Sequence, residues 1–180
     1  MKKELDLGKE KIGKLLLAFS VPCIISMIIN SIYNIVDQIF IGKGVGIIGN
    51  AATNVIFPIV IICNALAGLV GNGAAANLSL RLGEGKKDEA KKSIGSSITL
   101  LFIISILVVI IFELLLPNLV YAFGCTKNVY SSAMTYGRII VFGSFFMIVY
   151  SGLSQIIRAD GSPKYSMICL LVGAILNIIL

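Results

Sequence analysis

The chain has 180 residues, of which 57% are hydrophobic and only 13% charged, with a net charge of +6 and no histidine. Such a composition excludes an ordinary soluble domain. The charges fall in short clusters between long apolar runs, the pattern of a polytopic membrane protein. The positive balance does not indicate nucleic-acid binding, because the lysines sit at the ends of apolar runs, where they set topology.

Residues Met1 to Lys14 are polar, with Lys2, Lys3, Lys9, Lys11 and Lys14 set against Glu4, Asp6 and Glu10. The apolar run from Leu15 to Gly42 follows, with Asp37 its only charge. It is far too long for a secretory signal, and no small-x-small site closes it. At helical rise it measures about 40 Å, more than the ~30 Å hydrocarbon core, so this helix must tilt, bend or end early. Pro22 is the natural bend point and the candidate hinge.

Ser26, Asn30, Asn34 and Asp37 follow one another at spacings of four, four and three, and Tyr33 stands four before Asp37. These positions share one helix face. An unpaired polar group in hydrocarbon costs on the order of 2–7 kcal/mol, so the face must line a wet cavity or a protein interior. Asp37 is the acidic residue set well inside a span, which makes it a functional-site candidate. The blander alternatives are a carboxylate that snorkels or pairs with Arg138, asparagines that only bridge helices, and a tyrosine that only walls a cavity.

Lys43 to Gly49 reads as a glycine-dense turn. The second span, Asn50 to Leu80, carries Pro58 and small residues at every fourth position (Ala67, Gly71, Ala75, Ser79), a pattern that lets another helix approach closely. Asn50, Thr53, Asn54, Asn64 and Asn72 are many polar groups for plain packing, and part of this helix is expected to face the same cavity as Asp37. Arg81 to Lys92 reads as a solvated connector. The third span, Ser93 to Leu116, is the most apolar and should face lipid, with Glu113 near its outer end. Pro117 to Tyr130 reads as a loop, and a fourth span runs from about Ser131 to Ile157, with Arg138 two turns inside. A short turn, Arg158 to Pro163, leads to a fifth span. The spans are thus about 15–41, 50–80, 93–116, 131–157 and 164–180. Only 16 residues, Tyr165 to Leu180, follow the last charge, short of the roughly 20 that a spanning helix needs. The fifth helix therefore reads as truncated and the chain as part of a longer protein.

Lysine and arginine number twelve on the side of the N-terminus, the 81–92 connector and the 158–164 turn, against Lys43, Lys127 and Arg138 on the other side. The positive-inside rule then puts the N-terminus in the cytoplasm. Cys23, Cys63, Cys125 and Cys169 have no metal-ligand spacing and read as small apolar filler. Lack of histidine removes zinc proteases and Ser-His or Cys-His dyads, and a single deep aspartate removes an aspartyl dyad within the chain. An enzyme is not expected.

The run VDQIFIG (Val36 to Gly42), after a proline near the start of the span, resembles the multidrug and toxic compound extrusion (MATE) family. The resemblance continues through AATNVIFPI (Ala51 to Ile59), RLGEGKKDEAKK (Arg81 to Lys92), RADGSPK (Arg158 to Lys164) and LNIIL (Leu176 to Leu180), and so spans the chain. It implies an all-α fold, five transmembrane helices of a six-helix lobe with the fifth cut short. It also implies a multi-pass protein of a bacterial cell membrane. It further implies antiport: export of organic, often cationic, compounds in exchange for H⁺ or Na⁺, with no other cofactor. On this resemblance Asp37 is the coupling carboxylate, and Asn177 and Tyr33 assist it. A possible Na⁺ would be held by Asp37 and Asn177 with neighbouring amide or hydroxyl oxygens. A second aspartate of the family would fall at position 181, one past Leu180. The partners implied are the lipid bilayer, small organic cations, and a missing C-terminal lobe or second half. The rival readings are a flippase for lipid-linked saccharides and a non-transporting truncated half-protein.

Overall fold

The computed structural model describes residues 11–179, with side chains described through Leu176. Five α-helices follow one another: α1 (Ile12–Gly44), α2 (Gly46–Gly83), α3 (Lys87–Ala122), α4 (Lys127–Ala159) and α5 (Pro163–Ile179). The first four are long and apolar enough to cross a membrane, and α5 is a shorter apolar helix. The all-helical bundle expected from hydropathy is therefore the fold, a fifth and shorter helix included.

The connections are much tighter than the polar stretches between the apolar runs. Three of them close by the same device. After α2, the amide of Lys86 donates to the carbonyl of Arg81 and that of Gly85 to Leu82. After α3, Cys125 donates to Val120 and Gly124 to Tyr121; after α4, Ser162 donates to Ile157 and Gly161 to Arg158. This paired pattern satisfies the carbonyls at a helix end but requires a left-handed residue just past it. Glycine fills that position at Gly85 and Gly124, with φ of 76° and 86°. The connectors shrink to three or four residues as a result.

Two segments that read as loops are therefore helical. Helix α3 begins inside the charged connector at Lys87, where Asp88 and Glu89 in its first turn favour a helix start. Glu89 pairs with Arg81 at the end of α2 and so closes the connector. Helix α3 also runs on through Pro117 to Ala122. Pro117 removes one amide donor, leaving the carbonyl of Glu113 without its usual partner, but it stands close enough to the helix end for the turn to continue. Likewise α1 is unbroken through Pro22.

The core is a sandwich of α2, α3 and α4. Ile56, Ile59, Cys63, Ala67, Leu101, Leu116, Val141 and Ile148 are fully shielded there. The small residues of α2 meet those of α4 at Gly71 and Gly152, where a Cβ added to Gly71 would stand 2.9 Å from the Cα of Gly152. Backbone faces backbone at this crossing, the arrangement that small residues at four-residue spacing permit. Helices α1 and α5 lie against each other at the edge of this core. Helix α1 touches α2, helix α5 touches α4, and among the described residues no Cα of α1 comes within 8 Å of one in α4.

The crossing makes a prediction. Gly71→Ala forces two backbones apart and should lower the melting temperature in detergent, corresponding to about 1–3 kcal/mol for overpacking. Gly73→Ala has open space around the new methyl and should leave the melting temperature unchanged or raise it. Equal melting of the two variants would show that the helices do not meet at Gly71.

Candidate functional site

The site grows from the one face of α1 that carries polar groups. Asp37 is half-buried, seven residues before the end of α1 at Gly44. Tyr33 lies one turn deeper on the same face and is also half-buried. The Asp37 carboxylate is within electrostatic reach of two phenol groups, that of Tyr33 and that of Tyr136 on α4. Among the described residues no cation stands within ion-pair distance of it, and Arg138 pairs elsewhere, with Glu113.

Tyr136 was not singled out by the sequence. The signal that would have found it is depth. Tyr136 stands nine residues into α4 from Lys127 and Asp37 seven residues before Gly44, and both helix ends lie on the same side of the bundle. The backbones of α1 and α4 stay apart, so Tyr33 and Tyr136 approach the carboxylate from different helices.

One turn further along α1 lies a cavity of about 380 Å³ lined by Asn30 and Tyr33 of α1, Tyr150 of α4, and Cys169, Leu170 and Gly173 of α5, among others. Its wall carries amide and phenol groups and no lysine or arginine. The structure thus brings Asn30 and Tyr33 into the cavity and sets Asp37 above it. Asn34 is exposed, and its amide donates to the carbonyl of Asn30 at 2.7 Å, on its own helix. Ser26 is buried and donates to the carbonyl of Pro22 at 2.7 Å, a back-bond of the kind that satisfies the hydroxyl and favours a bend in the helix. Asn177 belongs to the last turns of α5, but its side chain lies outside the described residues.

Helix α2 supplies no residue to this cavity, contrary to the expectation from its asparagines. Asn54 and Asn64 return their amides to carbonyls of their own helix, at 2.9 and 3.1 Å, and Thr53 does the same with its hydroxyl at 2.9 Å. Such groups satisfy themselves and need no cavity. Beside the α4–α5 turn, Arg158 donates to Ser166 and Ser154, each at 3.1 Å, and so ties α5 to α4.

The oxygen set suits a monovalent cation or a proton. A single carboxylate with two phenols within electrostatic reach balances one positive charge, whereas among the described residues no group of three His, Cys, Asp or Glu side chains comes together. Hard cations prefer such oxygen donors.

Taken together, the fold and this site define a multi-pass membrane protein with an ionisable group held between helices. The family model described as MatE matches residues 22–180, and the chain belongs to that family. It is 30% identical over 174 residues to the multidrug export protein MepA of Staphylococcus aureus (strain NCTC 8325), covering 96% of this chain and 38% of the relative. It is 22% identical over 173 residues to the probable multidrug resistance protein YoeA of Bacillus subtilis (strain 168), covering 96% of this chain and 37% of the relative. Among solved structures, the MATE multidrug transporter DinF-BH superposes with a TM-score of 0.91 and 36% identity, over 99% of this chain and 40% of the transporter. The chain thus spans less than half the length of the relatives it matches. The family is one of transporters, not enzymes.

Cys169, exposed on the cavity wall, and Cys63, buried in the core, report whether the cavity is wet. In single-cysteine variants in membrane vesicles, a charged methanethiosulfonate reagent should modify Cys169 at least about ten times faster than Cys63. Equal inertness of the two thiols would mean that water does not enter.

Proposed function

We propose that the chain is the N-terminal part of a secondary antiporter that exports organic cations in exchange for H⁺ or Na⁺, with Asp37 as the coupling carboxylate. The observation that supports this best is the setting of Asp37. It is a membrane-depth carboxylate with no ion-pair partner among the described residues, within electrostatic reach of Tyr33 on its own helix and Tyr136 on α4. Intramembrane carboxylates without a fixed partner mark ion pathways.

The mechanism follows from competition for the same two oxygens. A proton or a Na⁺ held by Asp37 neutralises the charge, with Tyr33, Tyr136 and Asn177 as neighbouring oxygen donors. Loss of the ion leaves a bare carboxylate above a cavity of amide and phenol groups, which attracts an organic cation. The aromatic faces of Tyr33 and Tyr150 add to that attraction. Inward- and outward-facing states need to differ in ion affinity by only a few kcal/mol, since about 1.4 kcal/mol is a factor of ten. With the N-terminus in the cytoplasm, Asp37 sits in the outer half of the membrane, and a potential of 100 mV contributes roughly 2.3 kcal/mol per charge moved across it. Pro22 is the point at which α1 can bend between the two states, because one backbone hydrogen bond is already absent there. The rest of the transport path is formed with a second lobe or second half.

The flippase reading fits less well. An anionic lipid-linked sugar calls for cationic side chains, and the cavity wall has none.

The test is efflux of a fluorescent organic cation from cells expressing the full gene product, under imposed Na⁺ and pH gradients in separate assays. Asp37→Asn should reduce ion-driven efflux at least about tenfold while the protein still reaches the membrane. Undiminished efflux by that variant would remove Asp37 from the mechanism. Absence of wild-type efflux under both gradients would favour the non-transporting half-protein.

A further inference from the structure

A second membrane-depth carboxylate has a different setting. Glu113 of α3 and Arg138 of α4 form an ion pair away from the cavity, with Nε of Arg138 3.4 Å from Oε1 of Glu113. The pair joins two adjacent helices at matching depth, nine residues before the end of α3 and eleven after the start of α4. It is lopsided. The Glu113 side chain is 31% exposed, and its Oε2 is buried without a hydrogen bond. The Arg138 side chain is 62% exposed. Glu113 engages one edge of the guanidinium, and the terminal nitrogens have no partner among the described residues.

Arg138 also lines a groove of about 600 Å³ along α4, together with Tyr130, Ser131, Met134, Thr135 and Ile139. Arg138 is the charged residue of this lining. Ser131 and Tyr130 offer hydroxyl donors, whereas the Thr135 hydroxyl is already committed to the carbonyl of Ser131 at 3.0 Å. The ring of Tyr130 stacks on Tyr121 at the end of α3, with centroids 4.9 Å apart and planes 19° apart. Tyrosines at the ends of spanning helices mark the headgroup level of a bilayer. Arg138 lies eight residues below Tyr130, or about 12 Å at helical rise, and a long cationic side chain at that depth points back to the interface.

We propose that this groove binds the phosphodiester headgroup of a membrane lipid. The leaflet is the one on the side of the α3–α4 turn. The guanidinium of Arg138 grips the phosphate, the hydroxyls of Ser131 and Tyr130 donate to it, and Met134 and Ile139 lie along the start of the acyl chains. Glu113 acts as the positioning residue that fixes the guanidinium plane, so that its free edge faces the groove. The choice of occupant rests on charge and depth. A planar guanidinium with a free edge matches a phosphate by two parallel hydrogen bonds. Reaching back toward the level of Ser131 and Tyr130, the guanidinium approaches the headgroup region, where the bilayer supplies that anion as phosphate.

The experiment is a thermal melt of the protein in uncharged detergent micelles, titrated separately with phosphatidylglycerol, with diacylglycerol of the same acyl chains, and with inorganic phosphate. Phosphatidylglycerol should raise the melting temperature saturably, and the other two should not. Arg138→Gln should raise the half-saturating lipid concentration more than about tenfold, the loss expected for a hydrogen bond to a charged group. That substitution also strips Glu113 of its cation, so a second variant carries the test independently. Ser131→Ala with Tyr130→Phe keeps the ion pair and the ring stack and should raise half-saturation about threefold or more. The inference is overturned if the Arg138 variant and the wild-type protein saturate alike, if the Ser131/Tyr130 variant saturates as the wild-type protein does, or if diacylglycerol or inorganic phosphate produces the same shift.

Discussion

A bilayer gives a polar side chain no water to fall back on, and that constraint separates the hydroxyls and amides of this protein from its carboxylates. Hydroxyls and amides have a local escape. Ser31, Asn34, Asn64, Ser97, Thr99 and Thr135 each donate to a backbone carbonyl four residues earlier in the same helix. Such a bond costs little and commits the helix to no particular neighbour. A carboxylate has no such escape, because it only accepts hydrogen bonds and an uninterrupted helix interior offers no free amide to donate one. A carboxylate at membrane depth therefore dictates what stands opposite it. Asp37 and Glu113 are where this demand falls, and the structure answers it with two phenols in one case and a guanidinium in the other.

The same distinction explains what could be read in the amino-acid sequence. Asp37 stood out as the one charge in a run of 28 residues, and of its bland alternatives the pairing with Arg138 is not made, since Arg138 meets Glu113. Asn30 and Tyr33 followed from it by helical spacing, and both line the cavity. The asparagines of α2 misled, because an amide in an apolar run looks like a cavity marker whether or not it bonds to its own helix. Asn54 and Asn64 do the latter. Tyr136 and the Glu113–Arg138 pair were missed for a geometric reason. Their partners lie on other helices, and spacing along one helix says nothing of depth shared between two. Counting residues from each turn recovers both pairings.

Fold class was the easiest part, since four apolar runs of spanning length leave few alternatives. Helix ends were harder, because hydropathy marks where lipid ends and not where helix ends. Lys87 to Lys92 is charged and Pro117 to Ala122 holds a proline, yet both stretches are helical. What stops these helices is glycine placed where the chain must turn left-handed, at Gly85 and Gly124. Both glycines lie in stretches that read as connector and loop, where composition alone does not show a tight helix stop.

The position of Asp37 also has a consequence for how an ion bound there would act. Helices α2, α3 and α4 share an apolar core closed by backbone contact at Gly71 and Gly152. Helices α1 and α5 stand outside that core, and the cavity occupies the gap between them and α4. Close-packed interiors resist continuous deformation, so motion is cheapest where packing is already open. An ion that bound or left at the rim of that gap would change the balance of charge outside the close-packed core, while Arg158 ties α5 to α4 through Ser154 and Ser166 beside the α4–α5 turn.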